Sequence, residues 1–205
     1  MRMSEALNLV LPIGDLHAHH TPISREVFEA NYRMLAATRA ALSGKGVIYQ
    51  MMAGPRIAKL ALLDEARSDA EDRGEFELDS TGKPLTNDGR PVPSLARAQA
   101  LLGEIQRLTV ILCPGAKGWD ALPVDAAIRA GHVDEEDWAE AQARLVFFTC
   151  ICSMESRAER AGIAKATASL MKASITSLPP LEYAASSLGS TKVAPSTAAG
   201  FVVPS

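Results

Sequence analysis

Cysteine, aromatic side chains and clustered basic residues are all scarce in this chain, and each shortage closes off a class of protein. The three cysteines, Cys113, Cys150 and Cys152, are odd in number and few among 205 residues. That count argues against a disulfide framework and fits a reducing compartment. Cys150 and Cys152 are one residue apart inside "LVFFTCICSM", which is neither a zinc-knuckle nor a redox spacing and reads as buried small hydrophobes. Lysine and arginine are scattered singly, and the formal net charge is −3. A nucleic-acid binder carries a basic patch or stripe, so nucleic acid is not expected as a partner. No apolar run approaches the ~18 residues of a membrane span. The start "MRMSEALNLVLPIGD" has no basic segment, long apolar stretch and small-residue cleavage site in series. A soluble, intracellular protein is the expectation.

Aromatics make up only 5% of the chain while alanine is abundant, and 47% of residues are hydrophobic. That balance favours helix over sheet in a domain large enough to bury a core without staples. The expected fold is mainly α: a single helical domain with a small N-terminal β-hairpin and a flexible C-terminal tail. The hairpin arm takes residues 1–23, the helical domain 24–178 and the tail 179–205.

Within the arm, "NLVLPI" (8–13) reads as a strand, Gly14-Asp15 as a turn and "LHAHHTP" as the returning strand. Ser24 opens a helix with an apolar stripe through Val27/Phe28, Asn31/Tyr32, Met34/Leu35, Thr38 and Ala41/Leu42, ended by Gly44 and Gly46. The segment "VIYQMMA" (47–53) is apolar without a clear period. Gly54-Pro55 starts a helix through Ile57, Leu60, Ala61 and Leu63/Asp64 that fades into "DEARSDAEDRG". Residues 74–93 hold three glycines and three prolines and read as a long mobile loop with room for a small hairpin. "SLARAQALLGEIQRLTVIL" reads as one helix capped by Ser94, its face formed by Leu95, Ala98, Leu101/Leu102, Ile105, Leu108 and Ile111/Leu112. A short helix runs from about Pro123 to Gly131, and Asp134 caps a long one striped by Trp138, Ala141, Leu145, Phe148 and Cys152. A last helix covers about 157–174, before the Ser/Thr/Ala/Gly/Pro-rich end 186–205.

Chemistry-bearing patterns are few. Three of the four histidines lie in "GDLHAHHTPIS" (14–24). On a strand His17 and His19 point together and His20 away, a spacing that suits two ligands of one zinc ion. Amidohydrolase-type barrels use such a His-x-His, but they need eight strands, about 200–250 residues and further ligands. Only His132 remains, in a Gly-His-Val turn. A small metal-dependent hydrolase centred on His17 and His19 is therefore the least favoured reading, and a solvated or interface strand the most favoured. Cys113 precedes a Pro-Gly turn with no evident histidine partner, and no Gly-x-Ser-x-Gly elbow is present. "GKG" (44–46) and "GAKG" (115–118) lack phosphate-loop spacing and read as a helix end and a turn. Asp134, Glu135, Glu136 and Asp137 suit the positive end of a helix dipole. Trp119 in "KGWDALP" suits packing or a partner contact. No catalytic, cofactor-binding or metal-ligating residue is assigned.

The stretch "HHTPISREVFEANYRMLAATRAAL" resembles the N-terminal part of tail assembly chaperones from long-tailed bacteriophages and prophages. "GPRIAKLALLDEAR", "LLGEIQRLTVIL", "GWDALPVDAAIRAGHVDEEDWAEAQARLVFFTC" and "SITSLPPLEYAASS" follow with the same flavour in the same order, over about residues 10–190. The resemblance implies a helical, non-enzymatic protein of the host bacterial cytoplasm that coats the tape measure protein and is absent from the mature virion. It also implies self-association, and tail tube protein as a further partner through a longer frameshifted form. A virion adaptor, connector or tail completion protein is the alternative. A chaperone of long helices needs apolar grooves, and Met34, Met51, Met52, Met154 and Met171 offer adaptable contact surface.

Overall fold

The computed structural model describes residues 7–44, 53–115 and 118–188. Its centre is a five-stranded sheet, which corrects the mainly α expectation. Strands β1 (Asn8–Ile13) and β2 (Leu16–His20) form the expected hairpin around Gly14, whose φ of +51° suits glycine. The hairpin is no detached arm. It is the middle of the sheet, flanked by β5 (Thr109–Gly115), β6 (Gly118–Pro123) and β7 (Ser174–Thr176) in the order β6-β5-β2-β1-β7, every pair antiparallel. Strands β3 (Thr86–Asn87) and β4 (Arg90–Pro91) make a separate two-stranded ribbon within the 74–93 segment. Isolated bridges Phe76 to Pro93 and Leu78 to Pro84 tie that segment together further.

The helices are α1 (Arg25–Ser43), α2 (Gly54–Arg73), α3 (Ala96–Arg107), α4 (Val124–Arg129), α5 (Glu135–Cys152), α6 (Arg157–Leu170) and α7 (Pro180–Ser187). Local signals place most of their ends. The Ser24 hydroxyl accepts from Val27 N at 3.2 Å, and Pro55 sits in the first turn of α2. Asp134 accepts from Asp137 N at 2.7 Å, with three acids in the first turn of α5. An Asp134→Ala variant should lose about 1 kcal/mol in urea unfolding at neutral pH, most of it restored by Asp134→Asn.

The single helix expected over 94–112 divides instead. It ends at Arg107, and Thr109-Val110-Ile111-Leu112 continue as β5. Trp119 lies near the start of β6, and α7 occupies the start of the expected tail. Residues 47–52 and 189–205 lie outside the described residues, as do Met51 and Met52.

Opposite residues of paired strands share a sheet face. One face carries Leu9, Leu11, Ala18, Ile111 and Cys113 and packs on the helices. Helix α5 is their centre: Leu145 to Cys152 are all buried. Helix α2 lies close along it through Ala58, Leu62, Ala66 and Ala70, a mostly alanine ridge at four-residue spacing. The expected α2 stripe is rotated from this ridge, since Leu60 is 63% exposed. At the crossing a Cβ on Gly54 would come within 2.8 Å of Phe147 Cε2. Asp69 ties α2 to α1 and α3, 2.9 Å from Arg73, 3.7 Å from Arg33 and 3.9 Å from Arg97.

The second sheet face, with Val10, His17, His19 and Leu112, lies on the opposite side. Helix α7 packs there against β5 and β6, with Ala184 fully buried.

Candidate functional site

Among the described residues, the histidine row of β2 and a cleft between α1, α5 and α6 are the candidate sites.

Alternation on β2 puts His17 and His19 on the α7 face and His20 on the helical face. The His19 ring reaches the Leu178 carbonyl through Nε2 at 3.0 Å. A carbonyl only accepts, so Nε2 carries the proton and Nδ1 the lone pair. Asn8 Nδ2 donates to the same carbonyl at 3.3 Å. Tyr183 of α7 meets the His19 ring edge-on at 6.3 Å, and its hydroxyl lies 3.2 Å from Ser174 Oγ. These groups fasten the C-terminal segment to the sheet.

On the other face, Thr109 Oγ1 donates its one hydrogen to the Ile105 carbonyl at 2.7 Å. Its 3.0 Å contact with His20 Nδ1 is therefore a donation by the ring. Burial lowers the pKa of all three rings, which favours their neutral form. His20, fully buried, is pushed down to about 4, with the nearby His19 ring a second cause.

Among the described residues, no group of three or more histidine, cysteine or acidic side chains is placed to hold a metal ion. His132 is exposed in the turn after α4. Asp134 to Asp137 form the α5 cap. The cysteines are buried and poorly disposed to ionise. Burial and the charge of Asp120 raise Cys113, and burial pushes both Cys150 and Cys152 up to about 12.

The cleft encloses about 600 Å³. Two stretches distant in sequence build most of it, 22–32 at the start of α1 and 148–164 from the end of α5 into α6, and Leu7 just before β1 completes the lining. Its apolar lining includes Ile23, Phe28, Tyr32, Phe148, Cys152 and Met154. Phe28 and Tyr32, one turn apart on α1, form an edge-to-face pair with ring centres 5.8 Å apart, and Tyr32 is 54% exposed. The polar groups of the floor are already satisfied by the α5 backbone. Thr149 Oγ1 donates to the Leu145 carbonyl at 2.8 Å, and Ser153 Oγ donates to the Thr149 carbonyl. The floor therefore offers shape and apolar surface rather than free donors.

Of the methionines expected to provide adaptable surface, Met154 lines the cleft, while Met34 and Met171 are core residues. Sequence reasoning did not single out Phe28 with Tyr32 as a site, because both sit within the apolar stripe of an amphipathic helix. Trp138 is core, and Trp119 is half-buried on β6. No helix among the described residues is long and apolar enough to cross a membrane. Comparison of the chain with protein-family models, curated proteins and solved structures finds no match.

Proposed function

We propose that this protein is a non-enzymatic tail assembly chaperone of a long-tailed bacteriophage or prophage. It holds apolar helical segments of the tape measure protein in the host bacterial cytoplasm during tail assembly and does not remain in the mature virion. The observation that carries this reading is the cleft between α1, α5 and α6. Its aromatic pair, methionine and satisfied floor suit an apolar helix face better than a small polar substrate. The five-stranded sheet departs from the helical protein that the resemblance implies, but the cleft walls are helical. A longer frameshifted form would add tail tube protein as a partner, and self-association is expected; nucleic acid and membrane are not partners.

Co-expression with the tape measure protein of the same gene cluster tests the proposal. The two should co-purify, and the tape measure protein should be less soluble alone. Equal solubility without this chain, with no co-purification, would overturn the reading, as would stoichiometric presence of the chain in purified virions. Tyr32→Ala should weaken capture at least tenfold, the size expected of an exposed aromatic anchor worth about 1.5–2 kcal/mol. Its unfolding free energy should change by less than about 0.5–1 kcal/mol, since more than half of the side chain is already in water.

A further inference from the structure

The charges around the cleft are unequally matched. Arg25 Nε and Glu29 Oε1, one turn apart on α1, pair at 2.6 Å. Glu155 Oε1 pairs with Arg39 Nη2 at 2.6 Å, and both side chains are largely shielded, 16% and 34% exposed. Arg160 differs. Among the described residues it has no carboxylate within ion-pair distance, and its side chain's one hydrogen bond runs from Nη2 to the Glu155 main-chain oxygen at 3.0 Å. A guanidinium has five donors, so four are left for another acceptor.

The position of Arg160 is fixed. Ser156 caps α6, accepting from Glu159 N at 3.4 Å and donating to Glu159 Oε2 at 2.6 Å. Arg160 lies in the next turn, four residues before Ala164, and both line the cleft wall. Its charge is felt at the floor, where it favours the ionised form of the Cys152 thiol against the dominant effect of burial. The apolar floor and this unmatched cation thus belong to one concavity. Its size, about 600 Å³, falls in the ~300–1,000 Å³ range of ligand pockets.

We propose that Arg160 makes the cleft selective for amphipathic helices that carry an acidic side chain one turn away from a bulky apolar anchor. The anchor packs among Phe28, Tyr32 and Met154, and the carboxylate accepts from the Arg160 guanidinium at the rim. The inference rests on the reading of the cleft as a helix-binding site. It adds which helices are accepted: acidic-apolar segments, in preference to basic-apolar or uncharged ones of equal helicity.

The test uses the full chain and three labelled peptides of one amphipathic design, with leucines on one face and Glu, Gln or Lys one turn from the central leucine. Fluorescence anisotropy at low salt should rank Glu above Gln above Lys, with about a fivefold step between the first two, as for a partly shielded ion pair. High salt should compress that step. Arg160→Ala should abolish the preference and Arg160→Glu should invert it, with thermal unfolding unchanged for these exposed substitutions. Equal binding of all three peptides, or a preference that survives Arg160→Ala, would overturn the inference and leave helix binding standing. Failure of every peptide to bind, together with failure to capture the tape measure protein, would instead overturn the helix-binding reading. Oleate displacing the Glu peptide through Arg160 would reassign the site to fatty carboxylates and equally overturn the inference.

Discussion

Truncation of Phe148 to alanine is expected to cost about 3–5 kcal/mol, a penalty typical of a buried aromatic removed from a core that cannot collapse around the void. Phe148 is 2% exposed and lies in the last two turns of α5, where every residue is buried. Those turns are gripped by neighbours that are themselves fixed. Helix α2 crosses α5 at Gly54 with no room for a Cβ, and α1 and β1 also pack on α5. In a domain of this size each kcal/mol is worth about 2–4 °C, so the midpoint should fall by roughly 10 °C or more. Phe148→Leu, which keeps most of the volume, should lose less than half as much. Urea unfolding followed by far-UV circular dichroism gives both values. A loss under 1 kcal/mol for the alanine variant would mean that α5 is not the central helix.

Phe148 also floors the cleft, so it separates two roles that Tyr32 does not combine. Tyr32→Ala should weaken partner binding at nearly constant stability, whereas Phe148→Ala should lower both. The difference follows from exposure alone: one ring is mostly in water, and the other is sealed between helices.

Much of this arrangement was legible in the residues, but unevenly. The β1–β2 hairpin follows from the apolar run 8–13 and the Gly14-Asp15 turn that returns the chain, and the starts of α1 and α5 from Ser24 and Asp134. Strand β5 was hidden because both of its faces are buried, Ile111 and Cys113 against the helices and Leu112 on the α7 face. A strand buried on both sides reads as a continuous apolar run, and Leu108, Ile111 and Leu112 also happen to continue the three-to-four spacing that begins at Leu101. The β-branched Thr109-Val110-Ile111 was the available signal against helix. Strand β6 is bounded by Gly118 and Pro123 and contains Asp120, residues that score poorly in strands, so its hairpin partner supplies what its sequence does not. The buried ridge of α2 was misplaced because alanine contributes little to an apolar pattern while permitting the closest helix approach. The cleft could not be read at all. Its walls come from segments more than a hundred residues apart, each looking locally like an ordinary amphipathic helix.

The histidine row changes meaning once its surroundings are known, and it sets the acid sensitivity of the protein. His20 is fully buried, donates from Nδ1 to Thr109, and has no hydrogen-bond partner at Nε2 among the described residues. Charging the ring would place a cation among apolar side chains, which is why its pKa falls from 6.5 to about 4. The sign of the linkage is fixed by that direction. Above about pH 6.5 neither the folded nor the unfolded ring binds a proton, and no stability is lost. Between 6.5 and 4 the unfolded chain takes up a proton that the folded chain refuses, so stability declines as pH falls. Below about 4 both states are protonated and the loss levels off. At about 1.4 kcal/mol per pH unit the full loss from His20 is about 3.5 kcal/mol. His17 and His19, shifted in the same direction by burial, add to it. Urea unfolding at pH 7.5 and pH 4.5 measures the slope. His20→Asn preserves the donor to Thr109 Oγ1 but cannot be protonated. It should start lower at neutral pH, having lost ring volume, and fall less steeply on acidification. Parallel slopes for the wild type and His20→Asn would show that the ring is not held neutral, and with that the placement of β2 between the helices and α7 would fail.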